Sequence, residues 1–155
     1  MELIPPHKNV SRRVIDSDLP RLWEDAQAMV DLMNDFERET KRKAIAVHHS
    51  QVVTDPLDFF VLNPRYWNRS EVIVNAVIVN RVKHPSALIE GCMTFPSSPS
   101  ANVYRAHKVT VRYRELQEED GSMKLSEEIE ENCSGRLAQV FQHEVDHANG
   151  RYIYL

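Results

Sequence analysis

The chain has 155 residues, 42% of them hydrophobic and 27% charged, with a formal net charge of −4. That length suits a single domain, residues 1–155, with its own core, and the composition is that of a globular protein without repeats or low-complexity tracts. The charge balance argues against nucleic-acid binding, no apolar run is long enough to span a membrane, and two cysteines are too few for a disulfide framework.

Residues 1–17 read as an irregular arm with no signal-peptide core, and the cysteine usage fits a reducing, cytoplasmic setting. Asp18 is a candidate cap and Pro20 a first-turn residue for a helix. Leu22, Ala26, Met29, Met33 and Phe36 recur at helical spacing, with Trp23 and Val30 widening the stripe, so an amphipathic helix is expected to about residue 41. Lys41-Arg42-Lys43 reads as a short solvated run. From Lys43 to Val53 the chain reads as a short strand or extended loop. His48 and His49 sit there as neighbours, which on an extended chain point to opposite faces. A structural or substrate-contact role is expected for them before metal ligation.

Asp55 to Asp58 is a turn, Phe59 to Leu62 a buried strand ended by Asn63-Pro64, and Val72 to Asn80 a longer strand rich in β-branched residues. Glu90 to Pro96 leads into a loop at Ser97 to Ser100. Lys108 to Leu116 alternates, with Val109, Val111 and Tyr113 facing one way. A turn at Glu119 to Ser122 returns the chain along Lys124 to Cys133 as a hairpin partner. Ser134 is a candidate cap for a last helix, which Asn149-Gly150 ends. Helix, strands, helix is an α+β order: mostly antiparallel strands packed around a C-terminal metal-binding helix, with an N-terminal amphipathic helix.

That last helix carries Gln142-His143-Glu144-Val145-Asp146-His147. Two imidazoles at i and i+4 lie on one helical face and can share one metal ion, with Glu144 placed to handle protons beside it. A catalytic site of this kind keeps three protein ligands and one open position. Cys92 is the best third ligand, a thiolate next to Gly91, which permits an unusual backbone. Cys133 reads as packing. His7, His84 and His107 have no geometric support, and Asp146 is expected to hold a backbone or imidazole partner.

At these residues the chain resembles the peptide deformylase family. Glu90-Gly91-Cys92-Met93-Thr94 is similar to that family's Glu-Gly-Cys-Leu-Ser motif. Gly135, Ala138 and Gln142 to Gly150 match its last motif, Val103 to Ala106 its arginine segment, and Gln51 the glutamine closing its first motif. The resemblance runs from about residue 20 to the end. It implies a metal-dependent hydrolase that removes the formyl group from the N-terminal methionine of nascent polypeptides. It implies Fe(II) as native metal, with Zn(II), Ni(II) or Co(II) able to substitute. Cys92, His143 and His147 would be the ligands and Glu144 the general base. The Gln51 amide and the Met93 backbone N–H would be oxyanion donors. Ala44, Ile45, Ala46, Glu90, Gly91, Arg136, Gln139 and Val140 would line the substrate groove, and Arg105 and Asp146 would support it, Arg105 by pairing with Glu90.

The chain departs from the family pattern where Gly-Ile-Gly-Leu-Ala-Ala-Pro-Gln is usual. Here Ala44 to Gln51 has no glycine and carries His48 and His49, which would narrow the groove. Arg136 and Gln139 replace apolar pocket residues. The absence of a C-terminal extension resembles short deformylases carried by phages. It implies that transient contact with the ribosome lacks the usual docking element. A monomer acting in the cytoplasm (the host's, if phage-encoded) is expected. Two other readings compete: a different metal-dependent amidohydrolase or peptidase, and a non-catalytic metal-containing peptide-binding module.

Overall fold

The computed structural model describes residues 1–82, 85–95 and 100–153. His84 and most of the Ser97 to Ser100 loop therefore lie outside the described residues.

Helix α1 (Leu19–Thr40) buries Leu22, Ala26, Met29, Met33 and Phe36, the stripe set by its 3.6-residue period. Trp23 falls off that stripe and is 41% exposed, so it does not widen the core. Lys41 takes the left-handed conformation that ends the helix, φ 60°. Asp18 precedes the helix but does not cap it with its side chain. Its carboxylate instead accepts the Ile15 N–H and the Arg12 guanidinium, closing the single 3₁₀ turn before the helix.

The strands are β1 (Ala46–His48), β2 (Phe59–Leu62), β3 (Val72–Arg81), β4 (Ser86–Glu90), β5 (Ala101–Arg105), β6 (Lys108–Glu119), β7 (Ser122–Leu125) and β8 (Ile129–Ser134). A six-stranded sheet runs β1-β2-β3-β6-β7, with β8 also paired to β6; β4 and β5 form a separate hairpin, and all these pairings are antiparallel. The predicted return strand exists in two pieces. β7 pairs residues 116–119 of β6 and β8 pairs residues 108–113. Ser126 makes the break, its Oγ accepting the Glu115 N–H at 2.9 Å and donating to Glu127 O at 2.8 Å.

Helix α2 (Gly135–Ala148) lies on the opposite face of the sheet from α1. The period-2 alternation of β2 decides this. Phe59 and Val61 join Met29 and Met33 of α1, while Phe60 and Leu62 join Val140 and Phe141 of α2. A strand apolar on both faces is the expected result of a layer on each side. Ser134 is the residue before α2, but its side chain makes no capping bond. Gly150 ends the helix with φ +74°, and a Cβ there would meet Lys8 O at 2.6 Å, so both conformation and space require glycine.

The N-terminal arm is fastened. Asn75 sits at a bulge of β3 with φ 55°, and its side chain accepts from Val14 N (2.8 Å) and donates to Val14 O (3.0 Å). His7 Nε2 donates to Ser50 O at 2.8 Å and Val53 O at 3.1 Å.

His48 and His49 are both fully buried. His49 donates from Nε2 to Asp25 at 2.9 Å and accepts the Leu57 N–H at Nδ1 at 3.0 Å, which ties α1 to the chain entering β2. Burial, partly offset by Asp25, pushes its pKa down to about 4 from 6.5. The sign follows: the unfolded imidazole binds a proton below 6.5 and the folded one resists until about 4, so this stabilisation is complete at neutral pH and is lost as pH falls through that window. Urea midpoints measured from pH 7 to pH 4 should fall for the parent chain and fall less steeply for His49→Gln; parallel profiles would remove His49 as the source.

Candidate metal centre and active site

Three segments converge at the α2 face that looks away from the sheet core: the 3₁₀ turn after β1, the chain leaving β4, and α2 itself. Ligand atoms of Cys92, His143 and His147 all lie within 4.8 Å of one another. His147 Nε2 is 2.9 Å from His143 Nε2 and 3.5 Å from Cys92 Sγ. Among the described residues the donor cluster stops at these three.

The hydrogen bonds on the far side of each ring decide what the near side offers. His143 Nδ1 donates to Glu90 Oε1 at 2.8 Å, and His147 Nδ1 donates to Arg151 O at 3.0 Å. With Nδ1 protonated on both, each Nε2 presents a lone pair to the centre. Two lone pairs at this separation repel unless a proton or a metal cation lies between them, and a cysteine sulfur beside them adds a soft donor. The donor set therefore fits a divalent transition metal. Burial opposes charge on His143, but Cys92 and Glu90 outweigh it and push its pKa up to about 10, so without a metal a proton is shared toward His147 Nε2, and a bound metal would displace it. Burial and the neighbouring His143 charge hold His147 well below its ordinary value.

Glu144, next in sequence to His143, is 3% exposed and its Oε2 has no hydrogen-bond partner among the described residues. Burial raises its pKa, against the opposing pull of His143. A buried carboxylate with an unused lone pair is poised to accept a proton from something placed beside it.

Arg105 at the end of β5 organises the support. It grips Glu90 through Nε (2.8 Å) and Nη2 (2.9 Å), and Asp146 through Nη1 (2.5 Å). Asp146 thus holds a guanidinium, not the expected backbone or imidazole partner. Burial would raise the Glu90 pKa, but Arg105 and His143 overcome it and hold the carboxyl down at about 2. The chain Asp146–Arg105–Glu90–His143 fixes one ring of the centre. Gln142 fixes the helix: its side chain accepts from Ala106 N at 2.9 Å and donates to Ala106 O at 2.7 Å.

Gln51 accepts the His48 N–H at Oε1 (2.9 Å) and donates from Nε2 to Thr94 Oγ1 at 2.9 Å and toward Cys92 Sγ at 3.6 Å. Its amide donor therefore lies beside the centre. Over it opens a cavity of about 460 Å³ lined by Ile45, Ala46, Gln51, Glu90, Gly91, Cys92, Met93, Arg136, Gln139, Val140, His143 and Glu144. Ala44 is the exception among the residues expected in this groove. It is fully buried in the α1-side core, its N–H donating to Glu37 and its carbonyl accepting from Asn63. The carboxylate of Glu90 is already engaged by Arg105, His143 and, at 3.3 Å, Gln139.

The sequence reading missed other lining residues. Phe36, Arg42, Lys43, Ile89 and Ser100 also face the groove, so Arg42 and Lys43 are not merely solvated. The Tyr152 ring packs at a tilt against that of His147, centroids 4.7 Å apart, and Thr94 holds Gln51. Proximity of Arg42 and Lys43 to the Ala44–Gln51 segment was the available signal for that pair. Cys133 is buried in the α2-side core, with its thiol pushed up to about 11 by burial and Glu131.

Fold and donors together define a class: an α+β domain with an open groove over a His-Glu-x-x-His helix and one cysteine ligand candidate. A family model described as polypeptide deformylase matches residues 7–155. The chain belongs to the polypeptide deformylase family. It is 33% identical over 149 residues to the peptide deformylase of Rhodopirellula baltica, covering 94% of this chain and 65% of that one. Against that of Thermotoga neapolitana it is 33% identical over 92 residues, covering 59% of this chain and 49% of that one. The chain thus spans about half to two thirds of these relatives' lengths. The crystal structure of peptide deformylase from Thermotoga maritima superposes with a TM-score of 0.76 at 23% identity, over 99% of this chain and 96% of that one. The crystal structure of the Thermus thermophilus enzyme gives 0.70 at 26%, over 99% and 84%.

Proposed function

We propose that this chain, folding as one domain, removes the formyl group from N-formylmethionyl peptides, giving formate and a free amine. The observation that carries the reading is the meeting of Cys92, His143 and His147 beside the buried Glu144, whose Oε2 has no partner among the described residues, at the floor of an open groove. A divalent cation held by those three residues supplies Lewis acidity, which lowers the pKa of water and polarises a carbonyl. Fe(II) is the proposed native ion, and Zn(II), Ni(II) and Co(II) suit the same donors.

The chain's own residues do the rest. Glu144 accepts one proton from the attacking water and returns it to the departing amine nitrogen; the second proton leaves the new carboxyl group for the amine, so formamide and water become formate and an ammonium group with no net proton change. The Gln51 amide and the Met93 backbone N–H are the proposed donors to the developing oxyanion. Ile45, Ala46, Gly91, Gln139 and Val140 wall the space for the methionine side chain. Nascent chains are the proposed source of substrate, met in the cytoplasm by a monomer in passing contact with the ribosome.

Chain loaded with Fe(II) or Ni(II) without oxygen should release formate from formyl-Met-Ala-Ser, and a chelator should abolish that release. A metal-loaded chain that leaves formyl peptides intact would sink the reading.

A further inference from the structure

The cations of the groove form a strip with no part in the chemistry above. A second cavity of about 380 Å³ opens under the C-terminal end of α1, lined among others by Glu37, Arg38, Lys41, Arg42, Lys43 and Arg65. Arg42 and Lys43 belong to both cavities, so the second continues the first. Arg136, from α2, stands on the groove side of the same strip.

Several of these charges form ion pairs and several do not, although Glu37 lies within electrostatic reach of Lys43 as well as Arg65. Arg38 pairs with Asp35, and Arg65 pairs with Glu37 at 3.1 Å. In the groove Glu90 is spent on Arg105 and His143. Among the described residues no carboxylate forms an ion pair with Lys41, Lys43 or Arg136. Two of the three are seated: Lys43 lies 5.5 Å from the Tyr66 ring centre and Arg136 lies 5.7 Å from that of Trp67. Those rings are themselves held, Tyr66 donating to Glu37 at 2.8 Å and Trp67 to Ile45 O at 3.1 Å. A cation after a helix C-terminus favours the helix dipole, which accounts for Lys41 alone. It does not account for Lys43 and Arg136, which come from different elements and face one groove.

We propose that this strip selects acidic side chains in the residues that follow the formylated methionine. The inference rests on the deformylase reading and names its substrate class. A peptide with its methionine over the metal centre leaves the groove past these cations, so a carboxylate there meets two or three positive charges. In solvent each contributes a factor of about two to three, together about tenfold. A nucleic-acid backbone is the weaker occupant, because the strip begins inside a groove walled by Met93 and Val140 and the whole chain carries −4.

The test uses C-terminally amidated formyl-Met-Xaa-Xaa peptides with Asp, Ala or Lys, cleaved by the metal-loaded chain. At low salt kcat/KM should rank Asp over Ala over Lys, with about tenfold between the extremes, shrinking toward unity near 0.5 M salt. The Lys41→Glu/Lys43→Glu variant should invert the order; the ratio is read, so a loss common to all peptides cancels. Equal cleavage at low salt, or a ratio the variant leaves unchanged, overturns the proposal. Binding of fluorescent versions of these peptides separates it from the functional reading. A chain that cleaves none of them but binds Asp over Lys keeps the strip and loses the deformylase assignment; one that binds them equally loses both. A single-stranded RNA bound by the parent and released by the variant, without peptide selectivity, would reassign the strip to phosphate.

Discussion

Glu144→Gln is expected to keep the metal and to cleave formyl-Met peptides at least about a hundredfold more slowly, the typical contribution of a placed acid–base group. The amide is isosteric with the carboxylate, so the buried volume is unchanged. It lacks the lone-pair basicity to take a proton, and its NH₂ cannot return one to the amine. Because Glu144 makes no bond through Oε2 among the described residues, the substitution strips no partner from the scaffold. Metal content measured on the purified variant, together with formate release, checks the two halves separately. A variant that turns over at the parent rate would remove Glu144 from the chemistry, whereas one that loses the metal would make it a structural residue.

Arg105→Ala is expected to cost about 3–5 kcal/mol of stability, the range for removing one partner of a buried ion pair. The magnitude follows from what is left behind. Glu90 and Arg105 side chains are 5% and 8% exposed, so solvent cannot replace the guanidinium. Glu90 would retain only His143 and Gln139, and Asp146 would lose its 2.5 Å partner. Urea unfolding measures the loss, and metal affinity should fall with it, because Glu90 would no longer hold the His143 ring. The Glu90→Gln/Arg105→Met pair should recover part of the stability, since no buried charge is then stranded. A loss below about 1 kcal/mol, the size of a surface pair, would contradict this account.

The helices and most strands were legible in the chain because their causes are local. The Leu22-to-Phe36 stripe and the alternation of Val109, Val111 and Tyr113 are periodicities that only one conformation can bury. His143, Glu144 and His147 were legible for the same reason, since i and i+4 meet on any helix. Cys92 was legible as an isolated thiol beside a glycine, though its meeting with the histidines needs β4 to end over α2. Capping was less well read: Asp18 and Ser134 sit at the right positions, but neither side chain caps its helix, because Asp18 is drawn to Arg12 and Ile15.

By itself the sequence determined both helices, the strands β2, β3 and β6, the α+β class and the identities of the chemistry-bearing side chains, because these follow from short-range period, spacing and residue type; the β4–β5 hairpin was not read from it. Only the tertiary structure decided their partners. It placed Asp146 on Arg105, turned His49 to Asp25, buried Ala44 away from the groove and drew Lys43 and Arg136 from separate elements to one rim. The physical reason is that partners in a buried polar network are chosen by desolvation. Each charge must find whichever counter-group the packed layers bring within reach, and that distance is not written in any local stretch of chain.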